Sequence, residues 1–341
     1  MQDSLDNIDD DDNVELGLDP HAAHTEYAHI KTTPLVHSYS HYSPVSSALA
    51  AEPVALGVDE AGRGPVLGPM VYAVSYTPIS KNKELGKLGF ADSKVLSFDQ
   101  RATLFDVVLA NQDWIGWAVH TCSPTDISGS MLGRQKYNLN ALAHDTTINL
   151  IREVLARGVK IKEIYVDTVG PPASYQKKLE DLFPGIKVRV EKKADAKFPV
   201  VSAASICAKV TRDAVLHGWT FVERDLSISK NFGSGYPADP NTVAWMKDST
   251  DPVFGFPQVA RFSWSTCENY LQDNAVAVEW PVDDSDKTKQ PAQSRSKKRA
   301  MPGQSAKASA AHPQNFKTDK TFFKRRGLSY VRWDLGTPTE P

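Results

Sequence analysis

Two adjacent acids are followed almost at once by an arginine between two glycines, in the run Asp59-Glu60-Ala61-Gly62-Arg63-Gly64. The acids come directly after an apolar segment that is predicted to be a buried strand, and we expect the strand to end where the charges begin. Carboxylates at a strand end can stay partly hydrated, so they can hold a hard cation without the full cost of burying charge. The glycines let backbone N–H groups approach a ligand closely. This combination of groups indicates phosphodiester chemistry.

Two further acids also follow predicted strands. Asp167 closes a strand of alternating apolar residues, and Asp195 lies between a short strand and a long helix. If these strands are neighbours in one sheet, their ends meet at one edge and the two acids join the first pair. Such a cluster would repel itself and raise its own pKa values, and two divalent cations would relieve the repulsion. Ligands that are all oxygen favour Mg²⁺ or Mn²⁺ over zinc.

Two metal ions about 3.5–4 Å apart can activate a water and stabilise the leaving oxygen in an in-line displacement at phosphorus. The predicted catalytic and metal-binding residues are therefore Asp59, Glu60, Asp167 and Asp195. Any one of them alone is more often part of a surface turn or a helix N-cap, and sequence spacing does not show that they meet. A dinucleotide-binding loop is disfavoured, because three residues separate Gly64 from Gly68 where that fingerprint has two.

The elements that must position these residues are predicted from hydrophobic periodicity and from capping and turn residues. Strands are predicted over 54–58, 69–76, 114–121, 161–166 and 186–191, and helices over 98–110, 138–156, 173–183, 200–224, 240–247 and 266–272. Strands that come first, followed by alternating strands and helices, indicate an α/β protein. We expect a mixed central sheet with flanking helices and a helical C-terminal part.

Charge is unevenly distributed along the 341 residues, although the formal net charge is only −2. The first 50 residues are strongly acidic, and the last 60 or so are basic, which is typical of solvated arms. The predicted organisation is a disordered acidic N-terminal extension over 1–50, a catalytic domain over 51–275, a disordered basic linker over 276–320 and a C-terminal tail over 321–341 that could dock a partner.

The three cysteines, Cys122, Cys207 and Cys267, show no paired spacing, and no signal peptide precedes them. This pattern excludes a disulfide framework and a zinc knuckle and indicates a reduced intracellular compartment. No apolar run approaches membrane-spanning length, so no membrane partner is expected. Ser205, Cys207 and Lys209 on the long helix are predicted to pack or cap and not to act as nucleophiles, since no histidine is placed to serve as the base that a serine or cysteine nucleophile needs.

Several runs of the sequence carry a closer resemblance. They include Asp59-Glu60-Ala61-Gly62-Arg63-Gly64-Pro65, Ala91-Asp92-Ser93-Lys94, Lys136-Tyr137-Asn138-Leu139-Asn140, Val166-Asp167-Thr168-Val169-Gly170, Lys193-Ala194-Asp195-Ala196 and Gly233-Ser234-Gly235-Tyr236-Pro237. In this order they resemble the motifs of the type 2 ribonuclease H family, and in particular of its eukaryotic catalytic subunits. The resemblance covers about residues 54–270.

The resemblance implies a ribonuclease H-like fold and hydrolysis of the RNA strand in RNA/DNA hybrids. It also implies cleavage on the 5′ side of a single ribonucleotide embedded in duplex DNA, which leaves a 5′-phosphate and a 3′-hydroxyl. In that family the four acids named above hold two Mg²⁺ or Mn²⁺ ions. Gly62, Arg63 and Gly64 would read the 2′-hydroxyl, and Tyr236 would lie against the sugar after the ribonucleotide. Lys94 and Arg212 are expected to contact phosphates, although a solvated surface position is as common for each.

The family also implies two accessory subunits in a heterotrimer, and a role in removing ribonucleotides from DNA and RNA primers during replication. The basic run at 294–299 would serve either as a nuclear import signal or as a nonspecific DNA contact, so the nucleus is expected, with the cytoplasm as an alternative. Two other functions stay open: a non-catalytic protein that binds nucleic acid, and a different nuclease of the same fold. The first would usually have lost an acid, and the second would lack the Gly-Arg-Gly segment.

Overall fold

A six-stranded sheet forms the centre of the computed structural model, which describes residues 29–31, 33–90, 96–133, 137–168, 170–223 and 227–276. Its strands are β1 (Tyr39–Tyr42), β2 (Pro53–Ala61), β3 (Met70–Pro78), β4 (Gly116–Cys122), β5 (Lys160–Asp167) and β6 (Lys187–Glu191). The strand order is β1-β4-β3-β2-β5-β6. The first four are antiparallel to their neighbours, whereas β5 and β6 are added parallel to β2. The predicted mixed sheet is therefore confirmed.

Helices cover both faces of this sheet. They are α1 (Ser47–Ala51), α2 (Asn82–Leu85), α3 (Phe98–Ala110), α4 (Pro124–Leu132), α5 (Leu139–Ala156), α6 (Pro172–Leu182), α7 (Pro199–His217), α8 (Pro240–Asp248) and α9 (Ser265–Asn274). One apolar core lies between the sheet, α3 and α7, and a second lies between the opposite face, α5 and α6. Among these described segments, no helix combines the length and apolarity needed to cross a membrane.

The first turn of α7 lies directly on the sheet. The Ser75 hydroxyl of β3 donates to the carbonyl oxygen of Val200 at 2.6 Å. A Cβ atom on Gly57 of β2 would lie 2.4 Å from the carbonyl carbon of Val200, so only glycine permits this approach. The contact fixes the start of α7, and the turn that precedes it, against the middle of β2.

Most helix ends agree with the sequence signals. Helix α3 has the predicted bounds, and Ser97 forms a capping box with Gln100 at its start. Asn138 caps α5 by accepting from the N–H of Ala141. The long helix α7 is shorter than predicted, because Gly218 takes the C-cap position directly after His217.

The folded part of the chain begins before the predicted boundary at residue 51. Both β1 and His29 lie within the segment that was expected to be a disordered extension. Strand β1 pairs with β4, and the centroid of the His29 ring lies 5.0 Å from that of Trp117. A short edge strand rich in Ser, His and Tyr shows little hydrophobic periodicity, which explains why it was not predicted. The described residues do not include 1–28 or 277–341. The second of these ranges contains the predicted linker, except for residue 276, and the whole predicted C-terminal tail.

Candidate active site

The first two acids lie within β2 and not after it. The strand continues to Ala61, because Asp59 and Glu60 stay paired with Ala73 and Tyr72 of β3. Side chains alternate across a strand, so the two acids face opposite sides of the sheet. Asp59 shares its face with Gly57 and points toward α7. Glu60 faces the side on which Tyr72 is buried.

Asp167 and Asp195 reach the same sheet edge as Asp59 by two different routes. Strand β5 runs parallel to β2, with Val58 opposite Val166, so Asp167 comes beside Asp59. Asp195 lies in a single 3₁₀ turn, Ala194–Ala196, between β6 and α7. The Asp167 Oδ1 atom accepts the N–H of Ala194 at 3.2 Å, which ties that turn to the end of β5.

One carboxylate oxygen from each of Asp59, Asp167 and Asp195 lies within 4.8 Å of the other two. We call these three residues the acid cluster. Asp59 and Asp195 are only 6% and 7% exposed. The expected partial hydration of the first two acids is therefore wrong for Asp59, whereas Glu60 is partly exposed. The structure thus brings together three of the four predicted acids. Glu60 lines the adjacent cavity, and its role as a metal ligand stays a prediction.

Burial raises the pKa of Asp59 to about 7, and repulsion by Asp167 adds to the effect. A hydrogen bond with Ser205 and the positive charge of Lys209 act in the opposite direction. Both residues lie on α7. Besides the predicted packing or capping, they favour the ionised form of Asp59. Three buried or half-buried carboxylates offer only oxygen atoms and carry an unfavourable repulsion. This donor set fits a hard divalent cation such as Mg²⁺ or Mn²⁺.

Residues 62–68, which we call the glycine loop, leave β2 next to the acid cluster. Gly62 has a φ of 77°, and a Cβ atom there would lie 2.7 Å from the carbonyl oxygen of Pro69. Only glycine fits this conformation without strain. The Arg63 guanidinium donates to Asn140 Oδ1 and, at 3.4 Å, to Tyr72 Oη. The side chain of Arg63 is thereby held, and the backbone of the loop is set beside the acids.

Arg261 anchors the glycine loop and was not identified from the sequence. It is completely buried, and its Nε donates to the carbonyl oxygen of Gly68 at 2.8 Å. Its Nη2 and Nη1 donate to the carbonyl oxygens of Gly62 (2.7 Å) and Arg63 (3.3 Å). A lone arginine in an apolar run is the only sequence signal for such a role, since arginine is rarely buried without partners.

Two other segments of the C-terminal part also hold this loop. The carbonyl oxygen of Gly235 accepts the N–H groups of Val66 (2.8 Å) and Leu67 (3.2 Å). Tyr236 follows directly and is 47% exposed, and a Cβ atom on Gly64 would lie 3.2 Å from its ring. The structure therefore places Tyr236 beside the glycine loop, and its contact with the sugar stays a prediction.

A cavity of about 330 Å³ opens between these groups. It is lined by Glu60, Ala61, Gly62, Arg63, Gly64, Arg101, Lys209, Arg212, Asp213 and Tyr236. Arg212 donates to Asp213 Oδ1 (3.0 Å) and to the carbonyl oxygen of Ser234 (3.0 Å), and Arg101 donates to Asp213 Oδ2 (3.1 Å). Arg101 was not identified from the sequence. Lys94 lies outside the described residues.

Comparison with known proteins agrees with this geometry. The family model of Ribonuclease HII matches residues 56–267. This chain belongs to the ribonuclease HII family. A ribonuclease H2 subunit from Bos taurus is 54% identical over 238 residues, which are 70% of this chain and 80% of the relative. The Arabidopsis thaliana protein of the same name is 48% identical, again over 70% of this chain and 80% of the relative.

A solved structure supports membership of the ribonuclease HII family. The crystal structure of the ribonuclease H2 from Pyrococcus horikoshii OT3 superposes with a TM-score of 0.53 at 31% identity. It covers 64% of this chain and 98% of the archaeal chain. The predicted ribonuclease H-like fold is confirmed, and the chain is a ribonuclease H, a hydrolase.

Proposed function

We propose that this chain hydrolyses the RNA strand of RNA/DNA hybrids and cuts on the 5′ side of single ribonucleotides embedded in duplex DNA. Cleavage would leave a 5′-phosphate and a 3′-hydroxyl. The observation that carries the proposal is the position of the acid cluster, with oxygens within 4.8 Å of one another, next to the anchored glycine loop. A group that cuts phosphodiesters and a group that can test a sugar then act on the same nucleotide.

The acid cluster would hold Mg²⁺ or Mn²⁺, and Glu60 beside it would contribute to a site for two such ions. When bound, a pair of divalent ions supplies an activated water and stabilises the charge that develops at phosphorus. Ser205 and Lys209 favour the ionised form of Asp59 that a cation requires. The Ala194 N–H holds the Asp167 carboxylate in place at the sheet edge.

Substrate recognition would depend on backbone groups. The 2′-hydroxyl distinguishes RNA from DNA at a given nucleotide. The backbone of Gly62, Arg63 and Gly64, which lines the first cavity, would test for it. Such contacts do not read base edges, so sequence preference should be weak. Tyr236 would lie against the following sugar. Arg212 would contact phosphates, and Lys94 is proposed for the same role.

The relatives are named as subunits of ribonuclease H2, which supports assembly into a complex. We propose a heterotrimer with two accessory subunits, in which the tail over 321–341 docks a partner. Its role would be the removal of ribonucleotides from DNA and of RNA primers. The basic run at 294–299 supports a nuclear location, and the cytoplasm is the alternative.

The proposal is tested with three duplexes of one sequence, which carry at one position a deoxyribonucleotide, a ribonucleotide or a 2′-O-methyl ribonucleotide. The full chain is assayed with Mg²⁺, alone and after co-expression with candidate partner subunits. We expect that only the duplex with the ribonucleotide is cleaved. The 5′-phosphate should be on the fragment that begins with the ribonucleotide. Equal cleavage of all three duplexes, or no cleavage of any under either condition, would overturn the proposal.

A further inference from the structure

A second cavity, of about 430 Å³, borders the glycine loop. It is lined by Arg63, Gly64, Met131, Leu139, Ser263, Trp264 and Ser265. Arg63 and Gly64 line the first cavity as well. Both cavities therefore border the same two residues of the glycine loop.

Trp264 gives this cavity a fixed aromatic surface. Its indole N–H donates to the carbonyl oxygen of Gly64 at 3.1 Å, which sets the height of the ring relative to the loop. The guanidinium of Arg261 lies 4.8 Å from the ring centroid and is itself completely buried. One face of the ring thus rests on a cation that is hydrogen-bonded to the loop. A ring held in this way loses little conformational freedom when a ligand packs on it.

The remaining side chains make the cavity apolar and adaptable in shape. The Met131 thioether accepts the hydroxyl of Ser263 at 3.5 Å, and Leu139 is half-buried at the start of α5. Thioether and aliphatic groups suit the face of a flat, uncharged ring better than a phosphate. Arg63 lines both cavities, but the first is also lined by Arg101, Lys209 and Arg212, so it is the more cationic of the two.

We infer that the second cavity receives a nucleobase of the ribonucleotide-containing strand, which stacks on Trp264. The inference rests on the proposed function, because it requires a nucleic acid strand at the glycine loop. In a duplex the base must first leave the stack, which costs a few kcal/mol. Every base has a π-face, so stacking on Trp264 would offset that cost without sequence preference. Trp264 would then have two roles. Its N–H positions the glycine loop, and its ring holds a nucleotide that flanks the ribonucleotide.

The two roles are separated by Trp264→Phe and Trp264→Leu. Both variants lose the hydrogen bond to Gly64, but only the first keeps an aromatic ring. The full chain and both variants are assayed on the single-ribonucleotide duplex, and then on duplexes with one abasic site at each flanking position of either strand. We expect kcat/KM of Trp264→Leu to lie about 5- to 150-fold below that of Trp264→Phe, the factor that 1–3 kcal/mol of stacking represents. The difference should disappear for one abasic position in the ribonucleotide-containing strand.

Equal kcat/KM values for the two variants would overturn the inference, as would a difference that no abasic site in that strand removes. A difference removed only by an abasic site in the opposite strand would also overturn it. If Trp264→Leu does not fold in a thermal unfolding control, Met131→Ala is scanned on the same duplexes, with loss of its defect expected at one abasic position. Failure of the wild-type chain to cut any ribonucleotide duplex, both alone and after co-expression with partner subunits, would instead refute the proposed function.

Discussion

The acid cluster is assembled by the strands of the sheet, whereas the glycine loop beside it is held by side chains and carbonyls from the C-terminal part. Two of the three acids come from neighbouring parallel strands, and the third comes from the turn that precedes α7. The glycine loop instead depends on Arg261, Trp264 and Gly235, which are distant in sequence. The two regions contact the same nucleotide in our proposal, but they are built from different interactions.

The difference also concerns energy. The acid cluster gathers like charges, so its geometry opposes the stability of the metal-free fold. The glycine loop contributes satisfied buried hydrogen bonds, whose loss leaves polar groups without partners. Substitutions in the acid cluster should therefore abolish activity while the fold persists. Substitutions in the anchor of the loop should reduce stability and recognition together.

The largest effect is expected for Asp167→Asn. Loss of one carboxylate from the acid cluster should lower kcat on the single-ribonucleotide duplex by at least about 10³-fold, since a bound metal ion contributes several kcal/mol to such reactions. Binding of the duplex, followed by fluorescence anisotropy, should persist. Asp145→Asn is the matched control, because Asp145 is a half-exposed acid on α5 whose carboxylate contacts Tyr137 and Lys178. Near-normal turnover of Asp167→Asn would remove the acid cluster from the mechanism.

Arg261→Met should reduce both stability and recognition. Three carbonyl oxygens would lose their donor in a buried position, and each buried unsatisfied group costs about 1–3 kcal/mol. We expect the free energy of unfolding in urea to fall by about 3 kcal/mol or more, together with weaker discrimination between ribonucleotide and deoxyribonucleotide duplexes. Arg189→Met, at an exposed ion pair on β6, should change stability by less than about 1 kcal/mol. If Arg261→Met is as stable as the wild type and still discriminates normally between ribonucleotide and deoxyribonucleotide duplexes, the proposed difference between the two regions is wrong.

Tyr236→Ala should have a smaller and more selective effect. Its ring lies beside Gly64 and is half-exposed, so its removal should not unfold the chain. We expect cleavage at a lone ribonucleotide to slow by about 10- to 100-fold, the range of 1.4 to 2.7 kcal/mol, with a smaller change in duplex affinity. Tyr236→Phe keeps the ring and should retain most of the rate. Unchanged cleavage by Tyr236→Ala would remove its proposed role.

The smallest predicted effect is a pH dependence of metal binding. The pKa of Asp59 is raised to about 7, mainly by burial, so this carboxyl is protonated below that pH. In the metal-free chain, its contribution to stability is present below the unfolded pKa of 3.8 and is lost as pH rises through about 7. A cation competes with this proton, so the affinity for Mg²⁺ should rise about tenfold between pH 6 and pH 8. Calorimetric titration at both pH values measures it, and an affinity that falls with pH would contradict the assignment.

The acid cluster could largely be predicted from the sequence, and the anchor of the glycine loop could not. Asp59 and Asp167 come at the ends of predicted apolar strands, so their meeting was predicted on the condition that these strands are neighbours in one sheet. The structure meets that condition, because β2 and β5 are paired in parallel. Alternation along β2 also separates Glu60 from Asp59, but this follows only once the strand is known to continue past the charges. Nothing local in the sequence connects Arg261 with Gly62, because their hydrogen bond depends on how the C-terminal part packs. Strand β1 was not predicted for a different reason, because its short segment rich in Ser, His and Tyr shows little hydrophobic periodicity.

The most direct test of the account is the affinity for Mn²⁺ of the wild-type chain and of three variants, measured by electron paramagnetic resonance at pH 7.5. We expect Asp59→Asn, Asp167→Asn and Asp195→Asn each to weaken binding by at least about tenfold, because each removes a ligand from one shared site. Asp145→Asn should bind as the wild type does. Wild-type affinity in any two of the three cluster variants would contradict the claim that these acids form one metal site.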